Sequence, residues 1–211
     1  MLFDLDGTLL DTLADLADAG NAALSDLRFP THSLEAYKYF IGKGMDELVR
    51  QILPQDNSDQ QTVAECMKLA KQYYSQYWKR NSKPYPGIAD MLTELEKRSI
   101  TKVVFSNKPD EFTGIMVRTL LADWKFDIIR GSLPGVPLKP DPAAALQIAS
   151  EVKIEPQKFI YVGDSAMDMQ TARAAGMHAV GVLWGFRDAY ELLSGGAKVL
   201  AKEPREILNL L

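Results

Sequence analysis

The sequence predicts an α/β fold, a parallel sheet flanked by helices and interrupted by an all-helical insert. Three observations carry this expectation. Short apolar or β-branched runs, Met1-Leu2-Phe3, Val103-Val104-Phe105 and Phe159-Ile160-Tyr161-Val162, each stop abruptly at polar residues and read as buried parallel strands. Helical patterns separate them, so strand and helix alternate, as a parallel sheet requires. The stretch from Thr12 to Ser82 breaks this rhythm, because it reads as successive amphipathic helices with no convincing strand.

In chain order, the first strand has only three residues before Asp4, where a central strand usually has about five or six. The expectation is that a natural upstream segment precedes the numbered chain. Helical periodicity then runs over Leu13 to Leu27, Leu34 to Phe40, Met45 to Leu53 and Thr62 to Trp78. The Tyr73, Tyr74, Tyr77 and Trp78 stripe reads as core of the insert or as a contact surface. Ser82-Lys83-Pro84-Tyr85-Pro86-Gly87 marks a boundary. Beyond it, Ile88 to Lys97 carries Ile88, Met91, Leu92 and Leu95 on one face, and a second helix covers Ala143 to Val152. A further strand starts at Ala179, with His178 packed near it. This divides the chain into a core, 1–11 with 83–211, and an insert, 12–82. Ligands of parallel sheets bind outside the carboxyl ends of the strands, where the polar stops fall. An insert placed directly after the first strand would sit over that crevice.

Composition narrows the possible partners. A formal net charge of -4 leaves no basic excess to neutralise a nucleic-acid backbone. Cys66 is the only cysteine, and His32 and His178 are the only histidines, so no zinc site with Cys/His spacing can be built. Any metal must be a hard cation held by oxygen. The opening residues lack the basic start and apolar run of a signal peptide, and no stretch approaches ~20 apolar residues. A soluble cytoplasmic protein, monomer or homodimer, with no membrane partner is expected.

Asp4-Leu5-Asp6-Gly7-Thr8 ends the first strand with carboxylates at i and i+2, which alternation would point the same way. Two such groups can divide the work, one attacking and one shuttling a proton. Alone, an Asp-x-Asp-Gly run is more often a surface turn. The wider pattern, however, resembles the haloacid dehalogenase-like hydrolases. Asp4-Leu5-Asp6-Gly7-Thr8-Leu9 is similar to the family's first signature, and Ser106-Asn107-Lys108 falls where the second places a hydroxyl. Lys139-Pro140-Asp141-Pro142 resembles the third, and Gly163-Asp164-Ser165 with Asp168 the fourth.

The resemblance implies a Rossmann-like parallel-sheet core with an α-helical cap, and a phosphatase that takes small-molecule phosphate esters. It implies Mg²⁺ held by Asp4, Asp164 and the Asp6 carbonyl, with Asp168 orienting Lys139 or water. It also implies Asp4 as nucleophile and Asp6 as acid then base, with an aspartyl-phosphate between the two steps. Ser106, Lys139 and the backbone N–H groups after Asp4 would stabilise the phosphoryl oxygens, and Asn107 would bind substrate. An aspartate at position 6 argues against carbon-halogen and phosphonate cleavage, because the family members that expel halide or a carbon group lack an aspartate at that place.

Phe40-Ile41-Gly42-Lys43-Gly44-Met45 looks like the glycine-bearing cap segment of phosphoglycolate phosphatases. There Lys43, beside Gly44 at a helix start, either meets a substrate carboxylate or is simply solvated. Gly42-x-Gly44 is no dinucleotide fingerprint, because no strand precedes it and Glu47 stands where the third glycine belongs. Trp184-Gly185-Phe186 resembles a loop bordering the family's pocket, and reads equally as core packing. The alternatives are a pyrophosphatase, nucleotide phosphatase or sugar-phosphate mutase of the same architecture. A catalytically silent phosphate-binding or protein-interaction domain is the alternative outside enzymes.

Overall fold

The computed structural model describes residues 1–57 and 59–211. The chain opens with β1 (Leu2–Phe3) and β2 (Leu10–Asp11), then runs through α1 (Leu13–Asp26), α2 (Leu34–Phe40), α3 (Met45–Ile52) and α4 (Gln60–Tyr77). It returns through β3 (Lys83–Pro84) and α5 (Ile88–Lys97), followed by β4 (Val103–Pro109), α6 (Asp110–Leu120), β5 (Ile128–Ser132) and α7 (Ala143–Glu151). The remaining elements are β6 (Ile160–Gly163), α8 (Ala166–Ala174), β7 (His178–Val182), α9 (Ala189–Gly195) and β8 (Val199–Ala201). Six strands form a parallel sheet in the order β5-β4-β1-β6-β7-β8.

β1 is short yet central. Leu2 pairs with Val103 on one side and Tyr161 on the other, and Phe3 with Val104 and Val162. The Asp4 N–H extends the ladder to Val162 O at 2.9 Å. Successive side chains leave a strand on opposite faces, so Leu2 and Phe3 anchor the two cores. Phe3, Val104 and Val162 pack with Met91, Leu92 and Leu95 of α5. Leu2, Val103 and Tyr161 pack with Ile148 of α7 and Met169 of α8. Both residues of β1 are fully buried, each worth roughly 1.5–3 kcal/mol, which lets so short a strand hold its place.

The helical insert leaves and re-enters the sheet layer through an antiparallel ribbon, with Leu10 opposite Pro84 and Asp11 opposite Lys83. Asp15 of α1, fully buried, ties the two ends of the insert together. Its carboxylate accepts from Asn81 N (2.9 Å), Asn81 Nδ2 (2.9 Å), Ser82 N (2.9 Å) and Ser82 Oγ (2.7 Å). α4 starts two residues earlier than its periodicity suggests, because Asp59 caps it by accepting from Gln61 N and Thr62 N. Tyr74 and Trp78 of the aromatic stripe are buried in the core, whereas Tyr73 reaches outward to Asp26 at 2.6 Å. His178 is the first residue of β7 and is exposed, rather than packed beside the strand. Among the described residues, no helix is long and apolar enough to cross a membrane.

Candidate active site

The carboxyl ends of β1, β4 and β6 converge on one cavity, lined by Asp4, Asp6, Ser106, Asn107, Lys139 and Asp164. All six are candidates from the sequence. Strand alternation is not what brings Asp6 in, because β1 stops at Phe3. A tight turn does so instead: Leu5 O accepts from the N–H groups of Thr8, Leu9 and Leu10, and Gly7 takes φ 82. A Cβ at Gly7 would lie 2.2 Å from Asp164 Oδ2, so this turn and the acidic loop after β6 can close together only with glycine there.

Asp4, Asp164 and Asp168 bring carboxylate oxygens within 4.8 Å of one another. Lys139 Nζ stands 2.8 Å from Asp4 Oδ1 and 2.7 Å from Asp168 Oδ1. The contact to Asp4 is an ion pair outside hydrogen-bond geometry, and Asp4 Oδ1 is a buried oxygen that accepts no hydrogen bond. Asp168 is fully committed: Oδ1 also accepts from Tyr161 Oη at 3.3 Å, and Oδ2 from Ser165 Oγ at 2.6 Å and Ser165 N at 3.1 Å. Its geometry is that of a group orienting Lys139 and capping α8. Asp164 accepts from Phe186 N at 2.7 Å and Thr8 Oγ1 at 3.4 Å.

Burial raises the Asp4 carboxyl to about 7 against the pull of Lys139, with the charges of Asp168 and Asp6 adding to the rise. Burial and the neighbouring Asp4 and Asp168 push Asp164 up as well. Burial opposes the charge on Lys139, but Asp168 and Asp4 hold it protonated, well above the usual lysine range. A crowded set of buried carboxylates, one oxygen lacking a hydrogen bond, suits a hard divalent cation that would relieve their repulsion.

Asp6 sits apart from this cluster. Lys108 Nζ lies 2.9 Å from each of its oxygens, and Thr12 Oγ1 donates to Oδ1 at 2.7 Å. Burial works against the Lys108 charge, but Asp6 and Tyr74 raise it above the usual lysine range. No role for Lys108 was assigned from the sequence. The one available signal was its place two residues after Ser106, and β4 in fact continues through it to Pro109. Ser106 Oγ accepts from Lys108 N at 3.2 Å. The Asn107 side chain brackets Lys139, accepting from its N–H at 2.9 Å and donating to its carbonyl at 3.2 Å, and it also donates to Gly42 O at 3.0 Å.

The insert supplies Leu16, Ile41, Gly42, Gly44, Met45 and Leu48 to the cavity wall. Lys43 is exposed and does not line the cavity. The loop after β7 joins the insert to the acidic site. Trp184 Nε1 donates to Thr8 O at 2.9 Å, Gly185 lies against Asp164, and Phe186 N holds Asp164. Arg187, a second cation not singled out in the sequence, donates to Lys38 O and, at 2.9 Å, to Ile41 O, and pairs with Glu191 at 3.2 Å.

Fold and site together define a hydrolase class. A family model described as haloacid dehalogenase-like hydrolase matches residues 1–182, and the chain belongs to this family. Among its relatives, a phosphoglycolate phosphatase of Nitrosospira multiformis is 37% identical over 201 residues, 91% of this chain and 87% of that protein. A phosphoglycolate phosphatase of Pseudomonas putida is 31% identical over 99% of this chain and 78% of its own. A solved haloacid dehalogenase-like family hydrolase from Streptococcus pneumoniae superposes with a TM-score of 0.88 at 26% identity, covering 99% of this chain and 96% of the other.

Proposed function

We propose that this chain is a Mg²⁺-dependent phosphatase of small-molecule phosphate monoesters, most like phosphoglycolate phosphatase, with Asp4 as its nucleophile. The observation that carries the proposal is the pairing of a buried Asp4 carboxylate with Lys139 beside Asp164. A module that only bound phosphate would have no use for a carboxylate at the floor of an anion site. The names of the relatives support the substrate class, and the apolar insert wall, 12–82 acting as a cap, suits a small leaving group.

Asp4 and Asp164, with the Asp6 carbonyl, would hold the cation. When bound, Mg²⁺ neutralises the carboxylates and the phosphoryl dianion so that the two can approach. Lys139, oriented by Asp168, screens the equatorial oxygens, joined by Ser106 and the backbone N–H groups after Asp4. Asp4 attacks phosphorus in line and forms an aspartyl-phosphate. Asp6 delivers a proton to the departing alkoxide, then takes one from the water that hydrolyses the intermediate, so that one carboxyl serves both steps. Hydrolysis of phosphoglycolate and p-nitrophenyl phosphate with Mg²⁺, with EDTA and with Ca²⁺ tests the reading. Turnover restored by Mg²⁺ after EDTA, and not by Ca²⁺, is expected; full activity in EDTA would overturn the metal assignment.

A further inference from the structure

We propose that Lys108 is the specificity-determining residue that recognises a negative charge on the leaving group. This rests on the phosphatase reading above. The cavity has two buried ammonium groups, and they face different parts of a phosphate ester. Lys139 contacts Asp4 and Asp168 and so stands beside the phosphoryl group. Lys108 contacts Asp6 through both carboxylate oxygens at 2.9 Å. In-line displacement puts the leaving oxygen opposite Asp4, and Asp6 must come within hydrogen-bond reach of that oxygen to protonate it. One contact beyond Asp6, Lys108 is placed to meet a charge borne a bond or two past the leaving oxygen. The carboxylate of a two-carbon hydroxy acid lies there.

The surroundings favour this assignment over other cations. The Lys108 side chain is 3% exposed, and a buried ammonium persists only where anionic partners meet it. The face of Tyr74, on α4, lies 4.7 Å from its Nζ and helps hold the charge in place. Among the described residues of the insert, those that line the cavity give it apolar side chains and glycine backbone. Lys43 is exposed, and Arg187 is occupied by Lys38 O, Ile41 O and Glu191.

Phosphoglycolate and 2-hydroxyethyl phosphate test the proposal, because they have chains of similar length and both need Asp6 to protonate an alkoxide. Any loss from a displaced Asp6 therefore cancels in their ratio of kcat/KM. The wild-type enzyme should prefer phosphoglycolate, and Lys108→Met should lower the ratio about tenfold to a hundredfold, the worth of a charge-assisted contact. Lys108→Arg should keep a larger part of the preference. An equal fall for both substrates would reduce Lys108 to a positioning residue for Asp6. A wild-type enzyme without preference would overturn the proposal even if no variant folds. Failure of the wild-type enzyme to turn over either ester in Mg²⁺ would instead remove the phosphatase reading, and this proposal with it.

Discussion

The Lys139 ammonium lies 2.7 Å from Asp168 Oδ1, and both side chains are closed off from solvent. Removing one partner of such a pair strands the other without compensation, at a cost of about 3–5 kcal/mol. Asp168→Ala should lose stability on this scale in urea unfolding, because it also removes the partner of Ser165 at the start of α8. In whatever fraction folds, kcat should fall more than KM rises, since Lys139 loses its orientation. Stability within about 0.5 kcal/mol of wild type would mean that Lys139 is held by Asp4 alone.

Much of this site was legible from the sequence because its signals are local. An apolar run ending on Asp4, Ser106 or Asp164 marks a strand and the chemistry at its end within a few residues. The ends of α2 and α5 follow their apolar periodicity, at Leu34–Phe40 and Ile88–Lys97. Lys108 and Arg187 were not legible, because a lysine in a polar tripeptide and an arginine in a loop gain meaning only from burial and from partners 102 and 149 residues away. Lys43 shows the converse. Its place between two glycines at a helix start suggests a substrate contact, but Gly42 and Gly44 take φ 117 and 89, and those two residues line the wall while Lys43 is left exposed.

Gly185 should tolerate no side chain. A Cβ there would lie 2.3 Å from Asp164 Cβ and 2.4 Å from Gly7 O, and overpacking of this kind costs about 1–3 kcal/mol. Gly185→Ala should displace Asp164, so the Mg²⁺ concentration for half-maximal activity should rise together with the loss of stability. An unchanged Mg²⁺ requirement would dissociate this loop from the metal.

Arg187→Ala should loosen the insert. It leaves the carbonyls of Lys38 and Ile41 at the end of α2 without their donor, a loss of about 1–3 kcal/mol where those groups remain buried. Faster proteolysis between α2 and α3 and a raised KM are expected, because Ile41 and Gly42 form part of the cavity. Wild-type proteolysis and KM would show that the insert is held by its apolar contacts alone.

The acidic cluster links metal to stability through pH. Asp4 is raised from its usual 3.8 to about 7 and Asp164 moves the same way, both first by burial. Such acids bind more protons folded than unfolded. Their contribution to stability is complete below the unfolded pKa and is lost as pH rises through the folded one. A divalent cation held by these carboxylates would bind their ionised forms, so its stabilisation should grow over the same window. The rise in Tm with saturating MgCl₂ should be larger at about pH 7.5 than at about pH 5. Equal shifts at both would take these carboxylates out of the metal site.

The central claim is that Asp4 carries the phosphoryl group. The most direct measurement is mass spectrometry of the Asp4 peptide after rapid acid quench of the Asp6→Asn variant with p-nitrophenyl phosphate and Mg²⁺. Its leaving group needs no proton, so the first step should proceed while hydrolysis of the intermediate stalls. Phosphate should be found on Asp4 and be released by hydroxylamine. An unmodified Asp4 peptide, in a variant that still releases p-nitrophenolate, would contradict covalent catalysis.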